Sequence, residues 1–357
     1  MRGSLVALGI AVVVAAGAVA VPLTVLDGAV SGTPVAADVP VPSATAPPAS
    51  GSTSEPSCAV GGRLEASGSP LAGNAVNEVA AALGNACPDT FVGYAPVGSG
   101  AGIEQFTSGA TAMAVVDRPL RDDELAAAGA RCAAGAFPFV AHPVTVRYNV
   151  AGVESLSLDA RTLAKIFSGA ITTWNDPAIT AQNPDVALSA QPIVVVGRSD
   201  ESATTAVFQQ YLAAAGGWTG GTDTTFTGRA TQTARGDGGM LVMIETTVGA
   251  IGYLTELAGT RSQVLLLGGV APDPDAVATA ITAALPGAGP MTLDPAEVYR
   301  ADPGAGAYPL VIVTYAVTCA DDPAARDFLL ASLSVRGGGG YVFPSGEWAD
   351  RLAAALQ

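Results

Sequence analysis

The chain of 357 residues holds one histidine and one lysine, Lys165, and only 13% of its residues are charged. With a single imidazole and no cysteine spacing that resembles a metal site, a zinc centre has almost nothing to be built from. Basic residues form no cluster along the chain and the formal charge is −15, which argues against nucleic acid or anionic lipid as a partner. Aromatics are scarce at 6%, whereas glycine (43) and proline (25) are plentiful. With many aliphatics, that mixture suits an α/β protein with many short connections, not a coiled coil or a disordered chain. No internal repeat stands out. The length exceeds the roughly 100–200 residues of one ordinary domain and accommodates two lobes.

A further absence concerns the N-terminus. Leu5 to Leu26 carries no charge, which fits a long signal-peptide core or one membrane-spanning helix of about 20 residues. No cysteine precedes Cys58, so the lipoprotein alternative is excluded. Ala18 and Ala20 allow cleavage near Ala20, while the length of the run favours a retained anchor. Residues 1–26 are therefore read as signal peptide or signal anchor, and the protein as extracytoplasmic, either secreted or anchored to the cell membrane. Residues 27–57, rich in Pro, Ser and Ala, are too poor in large apolar side chains to fold and read as a disordered tether. All four cysteines, Cys58, Cys87, Cys132 and Cys319, lie beyond the apolar run. An even number in an oxidising compartment reads as two disulfides.

Beyond the tether, short β-branched runs alternate with segments of helical apolar spacing. Strands are expected at 91–97, 112–116, 144–150, 192–196, 250–254 and 310–317. Helices are expected at 74–83, 103–107, 158–167, 205–215, 275–284 and 324–333. Strands separated by helices imply parallel sheets with helices on their faces.

One junction concentrates the scarce charge. Between the strand-like PIVVV and the helix-like TAVFQQYLAAA lies GRSDESATT, Gly197 to Thr205. Ser202 and Thr204 fall at a helix N-terminus, where unpaired N–H groups and roughly half a positive charge gather, and Arg198 brings five fixed donors. That is a socket for a tetrahedral oxyanion. The bland alternative is a simple helix cap with Arg198 paired to Asp200 at the surface. PVGSGAGIEQF places Ser99 among glycines before another helix; it has neither the dinucleotide-binding spacing nor the lysine of a P-loop. TAMAVVDRPL pushes Asp117 out of the end of an apolar strand, and EASGSPLAG sets Ser67 and Ser69 before a helix.

Together these stretches resemble a known family, the phosphate-binding proteins of phosphate ABC transporters. In order, the resemblance runs through GSGAGIEQFTSG, VVDRPLRDDEL, LAKIFSGAITTWNDPAI, IVVVGRSDESATTAVFQQYL, TVGAIGY and GYVFP. It implies an α/β fold of the two-lobed type II periplasmic-binding-protein kind, with a ligand cleft between lobes, no cofactor, no metal and no catalytic residue. Carried over position by position, the phosphate ligands are Ser69, Ser99, Asp117, Arg198, Ser202, the backbone of Ala203, and Thr204, with Asp200 orienting Arg198. Two departures bear on this. Glu201 and Ala203 stand where the family usually has glycine, and Pro70 lacks the N–H that the first loop normally offers; an alternative register uses Ser67 and Gly68 instead.

The resemblance further implies crossings between lobes at 144–150 and 310–317, so that lobe one combines 58–147 with 308–357 and lobe two is 148–307. Cys58 lies just before the first strand and Cys87 just after the helix that follows, which pairs them. Cys132 precedes the first crossing and Cys319 ends the second, which pairs the others. Asp117 is expected to choose phosphate over sulfate, because phosphate retains an O–H near neutral pH and sulfate has none. The function implied is extracytoplasmic binding of inorganic phosphate for delivery to an ABC transporter permease, by a monomer. A tethered binder or sensor of another oxyanion stands as the alternative, as does a phosphomonoesterase-like relative, for which no nucleophile paired with histidine is found. His142 reads as structural, Trp174 as a buried turn of lobe two, Asp122, Asp123 and Glu124 as a solvated first helical turn, and the glycine run 337–340 as a flexible turn.

Overall fold

The computed structural model describes Pro56, Cys58 and residues 62–255, 262–286, 291, 293–337 and 340–357. The signal or anchor (1–26), all of the tether except Pro56, and positions 338–339 of the glycine run lie outside the described residues. No helix among the described residues is long and apolar enough to cross a membrane.

Twelve strands follow in chain order: β1 (Gly62–Gly68), β2 (Thr90–Ala95), β3 (Met113–Val116), β4 (Ala134–Pro143), β5 (Thr145–Asn149), β6 (Ser157–Leu158), β7 (Val194–Arg198), β8 (Gln232–Ala234), β9 (Ala250–Leu254), β10 (Gln263–Val264), β11 (Leu266–Leu267) and β12 (Val311–Cys319). One five-stranded sheet has the order β2-β1-β3-β12-β4, another β8-β7-β9-β5-β10, and β6 pairs with β11 by itself. In each large sheet four strands run in one direction and one runs against them, β12 in the first and β5 in the second. The sheets are thus mixed, not wholly parallel as the helix alternation suggested. The opposed strands, β12 and β5, are those that the chain enters directly from a crossing between the sheets. The two sheets are topological repeats of each other, invisible in the sequence because their side chains share no pattern.

Val144 alone separates β4 of the first sheet from β5 of the second. Its N–H donates to Leu310 O at 2.9 Å, and its carbonyl accepts from the Tyr308 hydroxyl at 2.8 Å. Val144, Tyr308 and Leu310 are fully buried, and each pass carries a proline at the crossing, Pro143 and Pro309. β4, which the sequence left as an unassigned apolar approach, pairs with β12 over nine residues from Val311–Pro143 to Cys319–Ala134. Its prolines, Pro138 and Pro143, hid it.

Helix starts follow a local rule. Asp-Pro opens the helices Pro177–Thr180, Pro274–Ala284, Pro295–Tyr299 and Pro323–Ser332, with the aspartate carboxylate accepting a backbone N–H of the first turn in each. Proline has no N–H to leave unsatisfied there, and its φ is already helical.

Both expected disulfides are present: Cys58 to Cys87, with Cα atoms 5.4 Å apart, and Cys132 to Cys319, at 5.7 Å. Both staple elements of the first sheet. His142, on β4, is buried, and its Nε2 has no hydrogen-bond partner among the described residues. Burial pushes its pKa down to about 3, in keeping with a structural role. Trp174 is fully buried and donates to Gly249 O at 3.1 Å. Glu124 departs from expectation: it is not solvated but buried, gripped by both terminal nitrogens of Arg118 at 2.7 and 2.8 Å, by Arg121, and by the Arg121 N–H. The Arg118 hydrogen bonds hold its pKa down at about 2. Both arginines come from the loop between β3 and the helix that follows, within six residues of Glu124, and the Arg121 N–H bond closes a capping box.

Candidate functional site

The candidate residues fall at the C-terminal ends of the parallel strands, where ligands of open α/β sheets sit. In the first sheet Ser69 follows β1, Asp117 follows β3, and Ser99 opens the helix Ser99–Thr107 after β2. They meet directly. Ser99 Oγ donates to Asp117 Oδ1 at 2.5 Å and Ser69 Oγ to Asp117 Oδ2 at 3.2 Å, while Asp117 N–H donates back to Ser99 Oγ at 3.3 Å. Both oxygens of the carboxylate are therefore aimed by hydroxyls. Asp117 makes no ion pair with the neighbouring Arg118 or Arg121 among the described residues, because those arginines hold Glu124 and Asp123 instead.

The first loop resolves its two registers geometrically. Ser67 is buried and its hydroxyl lies 3.5 Å from Thr111 Oγ1, away from Asp117. Gly68 has φ +149°, and a Cβ there would overlap Val115 O, so this glycine serves the close approach of β1 to β3. Pro70 opens a 3₁₀ turn capped by Ser69. Ser69 N–H goes to Val115 O, Leu71 N–H to Ser69 Oγ and Ala72 N–H to Ser69 O. With these backbone donors engaged and Pro70 lacking one, what the loop offers a ligand is the Ser69 hydroxyl. Tyr94, which the sequence reading did not single out, pins the loop by donating to Ser69 O at 2.6 Å.

In the second sheet Arg198 ends β7, with its side chain only 8% exposed, so it is not the surface pair of the bland reading. Nε and one terminal nitrogen grip both oxygens of Asp200 at 2.9 and 2.7 Å, and the other terminal nitrogen holds Asp237 Oδ1 at 2.5 Å. The hydrogen bond from Arg198 holds the Asp200 carboxyl well below the usual carboxylate range. Asp200 also accepts Gly236 N–H at 3.0 Å, and Asp237 accepts the N–H and hydroxyl of Thr255. Of five guanidinium N–H donors, three are spent on carboxylates and two remain, one on each terminal nitrogen. That leaves a pair of donors suited to an oxyanion.

Beside it, Ser202 caps the helix Ala203–Gly216, accepting Thr204 N–H at 3.1 Å. The helix begins two residues earlier than its apolar spacing suggested. Ala203 N–H, the first of the helix, has no intrahelical acceptor. Thr204 is buried, whereas Glu201 is exposed, so the departure from glycine at 201 places no buried carboxylate among the donors. Tyr253 packs behind the site. Its hydroxyl lies 2.9 Å from Thr205 Oγ1, and burial pushes its pKa up to about 12.

A cavity of about 210 Å³ touches each group at one residue: Asp117 lines one wall, and Ala203, with Ala206 and Thr224, another, whereas Ser69, Ser99, Arg198, Ser202 and Thr204 do not line it. Tyr299 and Tyr315 complete its apolar side. Asp237 was missed from sequence. It lies 39 residues beyond Arg198 in RGDGG, which reads as a turn; the helix Gly236–Thr246 that carries it has two glycines after the aspartate and little else to mark its start. The described residues contain no group of three or more His, Cys, Asp or Glu able to hold a metal ion.

Two lobes, each a five-stranded mixed sheet with an anion-sized set of donors at its strand ends, define a solute-binding fold, and comparison with known proteins agrees. Residues 43–333 match the PBP superfamily domain. The chain is similar to phosphate-binding protein PstS 3 of Mycobacterium tuberculosis (38% identical, covering 82% of this chain and 85% of that protein) and to PstS 3 of Mycobacterium leprae (37%, covering 85% and 89%). Among solved structures it resembles an ABC-type phosphate transport receptor from Vibrio cholerae, with TM-score 0.52, 18% identity, and coverage of 82% of this chain and 97% of that one. The chain belongs to the PstS phosphate-binding proteins of the PBP superfamily.

Proposed function

We propose that the protein captures inorganic phosphate outside the cytoplasmic membrane and delivers it to an ABC permease. One lobe comprises 58–147 with 308–357 and the other 148–307. Phosphate is held between them by the hydroxyls of Ser69, Ser99, Ser202 and Thr204, the Ala203 N–H and the two remaining donors of Arg198, with Asp117 accepting the phosphate O–H. The observation that carries the reading is Asp117, a carboxylate aimed by two hydroxyls on the wall of a cavity that also reaches a helix N-terminus. A carboxylate suits an anion site only when the anion brings a proton.

Binding entails an exchange at the first sheet. Ser69 and Ser99 each have one hydroxyl hydrogen, spent on Asp117 here. As phosphate supplies its own hydrogen to Asp117, the hydroxyls are freed to turn to phosphate oxygens, and the one O–H of a hydrogen phosphate ion replaces one of the two hydrogen bonds that Asp117 gives up. Residues 1–26 export the chain, as signal or anchor, and 27–57 tether the binding unit, which acts as a monomer. The reading is of binding without catalysis. Calorimetric titration with phosphate, arsenate and sulfate tests it: phosphate and arsenate, which both carry a proton, should bind and sulfate should not. Equal affinity for sulfate and phosphate would overturn the assignment, as would steady release of product from a chromogenic phosphate ester.

A further inference from the structure

The helix Ala203–Gly216 joins two unlike places. Its N-terminal end faces the proposed phosphate cleft, and its C-terminal end, 14 residues and so about 20 Å away, borders a separate and larger cavity of about 510 Å³. Arg161, Lys165 and Arg229 line this second cavity, with the hydroxyls of Ser168 and Thr227 and the indole of Trp218, and no acidic residue lines it. The sequence shows no basic cluster because the three cations come from two segments 60 residues apart; folding of the Ala160–Ser168 helix against the loop after Trp218 creates one.

Arg63, Arg118, Arg121, Arg198 and Arg300 each hold a carboxylate, whereas Arg161, Lys165 and Arg229 make no ion pair or side-chain hydrogen bond among the described residues; Arg235, Arg326 and Arg336 are likewise without an ion pair there, but they line no common cavity with one another. Arg161, Lys165 and Arg229 are all exposed. In a chain with formal charge −15, three unpaired cations gather round one cavity that no acidic residue lines. Ordinary helix electrostatics accounts for one of them: Lys165 lies in the last turn of its helix, where the dipole favours a cation. Arg161 lies in the first turn, the wrong end, and sits four residues from Lys165, where like charges repel. An anion held between the two would offset that repulsion.

We propose that this cavity is a second anion site, taking a ligand with two or more linked phosphoryl groups. The volume falls within the range of small-molecule sites and is larger than a single phosphate requires. Two guanidinium forks match phosphoryl oxygens bidentately, Lys165 adds a mobile point charge, and the hydroxyls supply further donors. The negative field of the rest of the protein is screened beyond about 8 Å at physiological salt, so the local cations decide. The phosphoryl groups could belong to a free oligophosphate or to the headgroups of anionic phospholipids, since both present clustered phosphoryl oxygens.

The test compares the full chain with the triple variant Arg161→Gln, Lys165→Gln, Arg229→Gln. Both should bind inorganic phosphate equally, which also shows that the variant is folded. With the cleft saturated by phosphate, calorimetry with tripolyphosphate should show binding to the parent that is at least about tenfold weaker in the variant. In a second arm, cosedimentation with vesicles of phosphatidylglycerol and phosphatidylcholine is compared with phosphatidylcholine alone; a gain on the anionic vesicles that the variant loses, without tripolyphosphate binding, assigns the lipid source. Should the triple variant fail to bind phosphate, Arg161→Gln alone, at an exposed helical position, should weaken the polyanion about threefold. Absence of any polyanion binding, or binding equal in parent and variant, overturns the proposal.

Discussion

The two large sheets share one strand order and carry opposite chemistry at equivalent ends. After β1 and β3, and at the helix following β2, the first sheet holds a carboxylate, Asp117, between two hydroxyls. After β7 and β9, and at the helix following β8, the second holds a guanidinium, Arg198, between two carboxylates, one of them braced by Thr255. The first cluster presents an acceptor aimed by donors, the second a donor aimed by acceptors. A hydrogen phosphate ion has both kinds of oxygen, and under the proposed binding mode each lobe reads one of them. On this view the first lobe sets the choice of anion and the second the strength with which any anion is held.

The largest expected effect is on strength. Arg198→Ala removes the remaining donors and leaves Asp200 and Asp237 facing the anion without their counter-ion, so phosphate affinity should fall by about 2–5 kcal/mol. Arsenate should fall by the same factor, as both carry the same proton. Binding within about threefold of the parent by calorimetry would remove Arg198 from the site. Choice should respond to the other lobe. Rejection of a ligand lacking a required donor is worth about 10⁴-fold; Asp117→Asn, whose amide can donate to sulfate, should narrow the phosphate-to-sulfate ratio by about 100-fold. An unchanged ratio in competition titrations breaks the division of labour.

The lobes should also differ in acid tolerance. The single histidine lies in the first sheet, buried, with a pKa near 3 against about 6.5 in an unfolded chain. Its folded pKa is depressed, so the unfolded state takes up a proton that the folded state refuses, and stability falls as pH drops from 6.5 towards 3. Between pH 7 and pH 5 the loss is about 2 kcal/mol. Amide exchange should show it in β4 and β12 ahead of β7 and β9, and His142→Leu should remove that slope. Glu124, held at about 2, stabilises above the ordinary carboxylate range and adds its own loss only as pH falls below about 4.5. The smallest effect sharpens the comparison. Asp237→Asn keeps an acceptor for Thr255 but removes one negative charge beside Arg198, so phosphate and sulfate should both bind more tightly, by threefold to tenfold or about 1 kcal/mol, with their ratio unchanged. A shift in the ratio would mean that choice is not confined to the first lobe.

Much of this was legible in the sequence, because the signals are local. GRSDESATT contains both a strand end and a helix cap, so Arg198, Asp200 and Ser202 could be placed from neighbours alone. Asp117 stood out as the charge that ends an apolar run, and the cysteines could be paired once the crossings were assigned. What escaped is set by tertiary contact. Asp237, in the helix after β8, reaches Arg198, and Thr255, just after β9, braces Asp237; β8 and β9 meet β7 only in the sheet, and the surroundings of both residues look like turns. Glu124 is different: its partners Arg118 and Arg121 lie within six residues, and what hid it is its likeness to any acidic first turn. The pairing of β4 with β12 is masked by the prolines within β4.

The hydrogen bonds at Val144 have a mechanical consequence. The two passes of the chain between sheets are joined to each other at one buried point, from Val144 N–H to Leu310 O and from the Tyr308 hydroxyl to Val144 O. Each pass has one φ fixed by proline, at Pro143 and Pro309. A rotation of one lobe against the other must therefore be absorbed by the few free dihedrals flanking this point, as torsion about a single line. Such a pivot has few conformations to lose when a ligand bridges the lobes, and the entropy charged against binding is correspondingly small.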